Sequence, residues 1–156
     1  MIDGGSPWYD TYECADGKYI TVGSSEPRFY EMLLEKCGLS RNPDFAHQFN
    51  KANWPKAKQK MTALFKIGTR ADWCEMMVGT DICFAPVLNF EEAAAHPHNQ
   101  ERETFPEVDE VLQPAPAPKF SETPSYLKSP PPSPGADTGE ILREFGYESD
   151  QINELG

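Results

Sequence analysis

Residues 6–24, "SPWYDTYECADGKYITVGS", decide the fold. Two runs of aromatic and β-branched residues flank "ADGK", and Asp16-Gly17 is the dipeptide of a tight hairpin turn. The pattern predicts antiparallel strands near 8–14 and 18–23. Directly downstream, "VGSSEPRFYEMLLEKCG" (22–38) leads from the second strand through a sharp turn into a helix. Pro27 suits a first helical position, where its missing N–H would have no partner. Phe29, Leu33 and Cys37 recur on one face with Tyr30 and Leu34 beside them, and Gly38 provides the stop. Glu26 stands where strand and helix meet. On local physics alone its carboxylate satisfies free N–H groups of the first helical turn, worth about 0.3–1 kcal/mol.

Farther along, Pro55 opens a helix over about 55–67 with Ala57, Met61, Leu64 and Phe65 on one stripe. Its other side carries Lys56, Lys58 and Lys60, expected to form a solvated face rather than a membrane or phosphate contact. Thr69 and Asp72 make a capping box for a third helix near 70–78, whose buried side is expected to be Trp73, Met76 and Met77. "ICFAPVL" (82–88) is a continuous apolar run that predicts a buried strand. Asn89 and Glu92 start a short helix that ends before His96-Pro97. "TFPEVDEVLQ" (104–113) predicts a small second hairpin turning at Asp109-Glu110. After Gln113 the composition changes, since eight of the 15 prolines fall between Pro114 and Pro134. Such a stretch is extended and polyproline-like, serving either as a ligand for a recognition domain or as an arm burying Phe120 and Tyr126 on another surface. Two short helices fit 138–145 and 149–155. The fold class is therefore α+β: a small antiparallel sheet of hairpins packed with about three helices. Residues 1–113 form that domain, 114–135 the proline-rich arm and 136–156 an acidic helical segment.

Composition narrows the function. With 38% hydrophobic and 12% aromatic residues among 156, the chain can bury a core. A net charge of −11 disfavours a nucleic-acid partner, which calls for a basic face against phosphates. No apolar run reaches the roughly 18–20 residues of a membrane span, and neither end carries an address signal. The cytoplasm is the default compartment, or a peroxisome or mitochondrion for a eukaryotic source. Cys14, Cys37, Cys74 and Cys83 form no C-x-x-C pair and are expected as free, mostly buried thiols. There is no G-x-S-x-G, P-loop, G-x-G-x-x-G or H-E-x-x-H motif. His96 and His98 flank Pro97 without a third ligand at suitable spacing, so no metal is expected and the pair is read as helping a loop turn. Few polar groups converge, and taken alone the chain reads as half of something.

Three stretches, "GGSPWYDTYECADGKYITVGSSEPRFYEMLLEKCGL" (4–39), "FKIGTRADWCEMMVGTDICFAPVLNFEEAAAHPHNQERETF" (65–105) and "PAPAPKFSETP" (114–124), resemble family III CoA-transferase-like proteins of the CaiB/BaiF type. The likeness is to the C-terminal half of that family, nearest its α-methylacyl-CoA racemase branch. It implies an interlocked homodimer in which a Rossmann-like domain of one subunit and a small α+β domain of the other share each active site. The racemases remove the α-proton of a 2-methylacyl-CoA thioester, pass through an enolate and return a proton on either face. The thioester is substrate, and no metal or redox cofactor is implied.

By the same resemblance the His/Asp acid-base pair lies in the N-terminal half, and Glu26, in "GSSEP", approaches that His from across the dimer. A carboxylate there would hold one imidazole tautomer and stabilise the cation formed on proton abstraction. Tyr9 and Ser25 would edge the acyl pocket; the family commonly has an aliphatic residue where Ser25 stands. The implied partners are the missing Rossmann-like domain or subunit, an acyl-CoA and a second copy of the chain. The expectation is a racemase-like small domain with its returning C-terminal arm, inactive alone. The alternatives are the small domain of a CoA-transferase, or a non-catalytic interaction module that uses Trp8, Tyr9 and Phe120 as exposed apolar surfaces.

Overall fold

In a computed structural model, which describes residues 1–127 and 129–155, the chain divides into two compact units, Met1–Asn89 and Phe90–Gly156. The architecture is α+β, with small antiparallel sheets and several helices. The compositional change after Gln113 falls inside the second unit.

The first unit opens on the expected hairpin, β1 (Tyr9–Glu13) and β2 (Tyr19–Gly23), in register Tyr9↔Gly23 through Glu13↔Tyr19. Its turn is one residue longer than the two-residue form. Cys14 N–H donates to Lys18 O at 2.8 Å, Gly17 N–H to Cys14 O at 3.1 Å, and Gly17 has φ 74° while Asp16 does not enter the left-handed region. A three-residue loop needs positive φ only at its last position, which glycine supplies without a Cβ clash. Helix α1 (Pro27–Lys36) follows, with Pro27 at its first position. Gly38, at φ 67°, and Leu39 close it through bonds to Glu35 O and Leu34 O at 3.0 and 2.7 Å, which satisfies two of the last free carbonyls. Two 3₁₀ turns, Pro43–Phe45 and Lys51–Asn53, each capped by a preceding Asn, lead into α2 (Trp54–Phe65). Helix α3 (Arg70–Met77) carries the predicted capping box, with Asp72 N–H on Thr69 Oγ1 at 3.2 Å and Thr69 N–H on Asp72 Oδ2 at 2.8 Å.

Strand β3 (Phe84–Val87) pairs antiparallel with β2, giving the order β1-β2-β3. It is an edge strand rather than the buried strand read from "ICFAPVL": Ala85 and Val87 are exposed, and only Ile82, just before it, is fully buried. The edge also accommodates Pro86, which has no N–H to donate to a ladder. One face of the sheet meets the helices through Tyr12, Ile20 and Val22, against Leu33, Met61, Phe65 and Met77. Trp8 lies in this core, 1% exposed, with Tyr30 and Trp54 edge-on at 5.4 and 5.1 Å. It therefore offers no docking surface, contrary to the reading that grouped it with Tyr9 and Phe120. Met76 is 41% exposed, because the buried stripe of α3 runs through Trp73 and Met77, four residues apart. The lysines of α2 are engaged rather than merely solvated: Lys56 and Lys60 both pair with Asp44, and Lys58 pairs with Asp10. Among the cysteines, Cys14 and Cys37 are buried, Cys74 is half-buried and Cys83 is exposed.

The second unit has α4 (Phe90–Ala95), α5 (Pro97–Glu101), the hairpin β4 (Glu107–Val108) and β5 (Val111–Leu112), and helices α6 (Thr138–Glu144) and α7 (Ser149–Leu155). The hairpin turns at Asp109 and Glu110, both in the left-handed region at φ 50° and 64°, as a two-residue turn demands. One further helical turn, α5, starts at Pro97 with His96 in its N-cap position. The start of the arm is tied to the hairpin region by Gln113 N–H on Pro106 O at 3.1 Å and Ala115 N–H on Thr104 O at 2.9 Å. No helix among the described residues is long and apolar enough to cross a membrane.

Candidate functional site

Glu26 occupies the N-cap position of α1 with φ −76° and ψ 140°, yet its side chain makes no capping hydrogen bond. The capping role expected from local physics is therefore absent. The carboxylate belongs to an exposed residue at the mouth of a tightly bonded loop. Ser24 N–H donates to Trp8 O at 2.9 Å, and its hydroxyl donates to Ile82 O. Ser25 N–H folds back on Gly23 O at 2.8 Å, and Glu26 O accepts from Tyr30 N–H at 3.0 Å. The carbonyls of Ser24 and Ser25 both accept from the Gln48 side-chain amide, at 3.2 and 3.0 Å. Gln48 is 8% exposed, and its own carbonyl accepts from Trp54 Nε1 at 2.9 Å. A buried amide with two carbonyls before it must turn its NH₂ toward them, because the amide oxygen could not bond to either.

The other site residues of the sequence reading surround the same end of the sheet. Tyr9 is 38% exposed and faces Gly23 across the ladder. A methyl carbon placed on Gly23 would lie 3.7 Å from Tyr9 Cε2 and 3.7 Å from Cys83 Cβ, so Tyr9 and Cys83 flank a shallow, methyl-sized notch. Ser25 is half-buried, two residues beyond that notch. The structure thus brings Tyr9, Ser25 and Glu26 to one rim. It adds Cys83 and Gln48, which sequence reasoning did not single out. Cys83 has φ 59°, and partial desolvation, with the Glu26 and Asp81 carboxylates nearby, holds its thiol above the ordinary range. A thiol shifted that way stays protonated at neutral pH and is a poor nucleophile. Arg28 and Asp81, paired at 2.8 Å, tie the first turn of α1 to the segment leading into β3.

His96 and His98 lie in the second unit, and among the described residues no group of three His, Cys, Asp or Glu side chains converges as a metal site. That unit also holds a hollow of about 1140 Å³, lined by Ala94, Phe105, Leu112, Pro116, Phe120 and Tyr126 among others. Its lining is mostly apolar, with Glu91, Glu103 and Lys119 also at its wall.

The three-stranded α+β unit thus carries, where β2 gives way to α1, a carboxylate that makes no bond to its own helix. Comparison with known proteins gives the class. The family model for CoA-transferase family III matches residues 2–138, and the chain belongs to that family. It is 42% identical to the α-methylacyl-CoA racemases of Mus musculus and Homo sapiens, in each case over 99% of this chain and 41% of the relative. The chain thus spans about two fifths of the length of these relatives. A CaiB/BaiF family protein from Brucella suis shares the fold with a TM-score of 0.72 at 18% identity, over 92% of this chain and 39% of that one.

Proposed function

We propose that this chain supplies the Glu26 wall of an α-methylacyl-CoA racemase-like active site. In this reading the substrate is a 2-methylacyl-CoA thioester. An acid-base pair on a segment outside these 156 residues takes the α-proton, leaving an enolate, and a proton returns to either face. Glu26 does not itself move the proton. It faces the imidazole of that pair from across a dimer, fixes its tautomer and offsets the positive charge formed when the ring accepts the proton. Tyr9 and Ser25 edge the acyl chain. The observation that carries the reading is the Glu26 carboxylate, left free of its helix while the backbone beneath it is hydrogen-bonded on both sides. The 42% identity to racemases supports the choice of reaction. The name of the matching family supports a second reading, transfer of CoA between carboxylates, with this chain again as the small domain.

The test joins this chain to the N-terminal portion of the mouse racemase that it does not cover. Exchange of the α-proton of a (2R)-methylacyl-CoA with deuterated solvent is then followed beside CoA transfer to a free carboxylate. The 156 residues alone are expected to give no exchange above the buffer rate. The joined protein is expected to exchange and epimerise, and Glu26→Gln to lower kcat on the order of 10²-fold, the low end of what acid-base assistance supplies. Because a carboxylate raises the pKa of an imidazole it faces, Glu26→Gln should also move the acid limb of the pH–rate profile to lower pH. Transfer without exchange would favour the second reading, and exchange by the chain alone would sink both.

A further inference from the structure

Three polar residues are buried among the described residues, Ser6, Ser24 and Gln48, and two of them meet at the loop that precedes Glu26. Gln48 lies 22 residues beyond Glu26, in the segment between the two 3₁₀ turns. Its amide reaches the carbonyls of two consecutive residues, Ser24 and Ser25, that lead directly into Glu26. Burying a long, flexible polar side chain is costly unless its hydrogen bonds are made. An apolar side chain of the same length would fill the space without binding the loop. The segment is anchored in turn, since Trp54 Nε1 donates to Gln48 O and Tyr30 Oη donates to Phe45 O at 2.9 Å.

Resting on the reading of Glu26 given above, we propose that Gln48 is its positioning residue: the buried amide clamps the Ser24–Ser25 backbone so that the carboxylate is presented outward instead of folding back onto the helix. A fixed backbone matters because a reacting group displaced by about 1 Å loses on the order of 10²-fold in rate. Losing two hydrogen bonds while the remaining ones hold should displace Glu26 by less than that.

Gln48→Met keeps the length and removes both donors. In the 156-residue chain, hydrogen exchange at the Ser25 and Glu26 amides should quicken about tenfold, while Ile20 and Phe65 exchange as before. In the joined enzyme, Gln48→Met should lower kcat about tenfold at unchanged KM. In a Glu26→Gln background it should do nothing more, because residues acting as a unit are non-additive. Met61→Leu, a core change, serves as the control for stability and should leave kcat per folded molecule intact. Unchanged exchange at Ser25 and Glu26 overturns the proposal whether or not the joined protein is active. So do additive losses in the double variant, or normal kcat in Gln48→Met when Glu26→Gln is impaired; in that last case the reading of Glu26 survives. A Glu26→Gln enzyme with full activity overturns both.

Discussion

Residues 1–89 and 90–156 carry charge in similar amounts and use it differently. The first unit has 11 acidic and 10 basic side chains, the second 14 acidic and 4 basic, so the second holds −10 of the net −11. In the first unit the charges pair, as Lys58 does with Asp10 and Lys66 with Glu13 at 2.9 Å. Every buried residue in the described chain also lies there, while the second unit leaves Phe90, Phe120, Tyr126 and Phe145 largely exposed. The first unit is thus held by its interior. The second is held by turns and short helices, with like charges opposing its compaction. A carboxylate can be presented reliably only from the first kind of structure, and Glu26 is found there.

The comparison can be broken most directly at the core. Phe65 is fully buried between Tyr12 and Trp73, with ring centroids at 5.0 and 5.1 Å. Phe65→Ala should cost about 3–5 kcal/mol in chemical denaturation, and a loss below 1 kcal/mol would mean that the first unit is not held by this core. Alkaline titration gives the next effect. Burial pushes the Cys37 thiol and the Tyr30 hydroxyl each up to about 12. Both groups hold their protons more tightly folded than unfolded, so their contribution is intact below about pH 9 and is lost as pH rises toward 12. Cys37 alone should account for about 2 kcal/mol by pH 10.5, and Cys37→Ala should flatten that slope.

Smaller still is the cap of α3. Thr69→Ala should cost about 1 kcal/mol, read from the urea midpoint. Hydrogen bonds from Thr69 hold the Asp72 carboxyl below its ordinary range. That part of the cap is present at neutral pH and fades as pH falls through the folded-state value. The least effect is expected in the second unit, where Phe145→Ala should stay within about 0.5 kcal/mol, as exposed side chains do. A large loss there would erase the contrast between the units.

Much of the fold was legible because it is written in local chemistry. The β1–β2 hairpin, the Pro27 start and Gly38 stop of α1, the Thr69/Asp72 box and the Asp109-Glu110 turn each follow from residues within a few positions of one another. Misreadings arose where a neighbour distant in sequence decided the matter. The apolar run 82–88 looks buried until β2 is known to be its one strand partner, which leaves the other edge open. Trp8 looks like a surface residue until Tyr30 and Trp54 close over it.

The candidate site divides in the same way. Tyr9, Ser25 and Glu26 were reached through family likeness, whereas Gln48 sits in a stretch with no periodicity and Cys83 in a run that reads as core. No local pattern marks a glutamine for a loop more than 20 residues away. Sequence alone determined which segments become strands, helices and turns, since backbone preference and hydrophobic spacing act over one or two turns of chain. Only the tertiary structure decided that Glu26 leaves its helix uncapped and that a buried amide holds the loop below it. Those outcomes depend on hydrogen bonds between residues that the folded chain alone brings within reach.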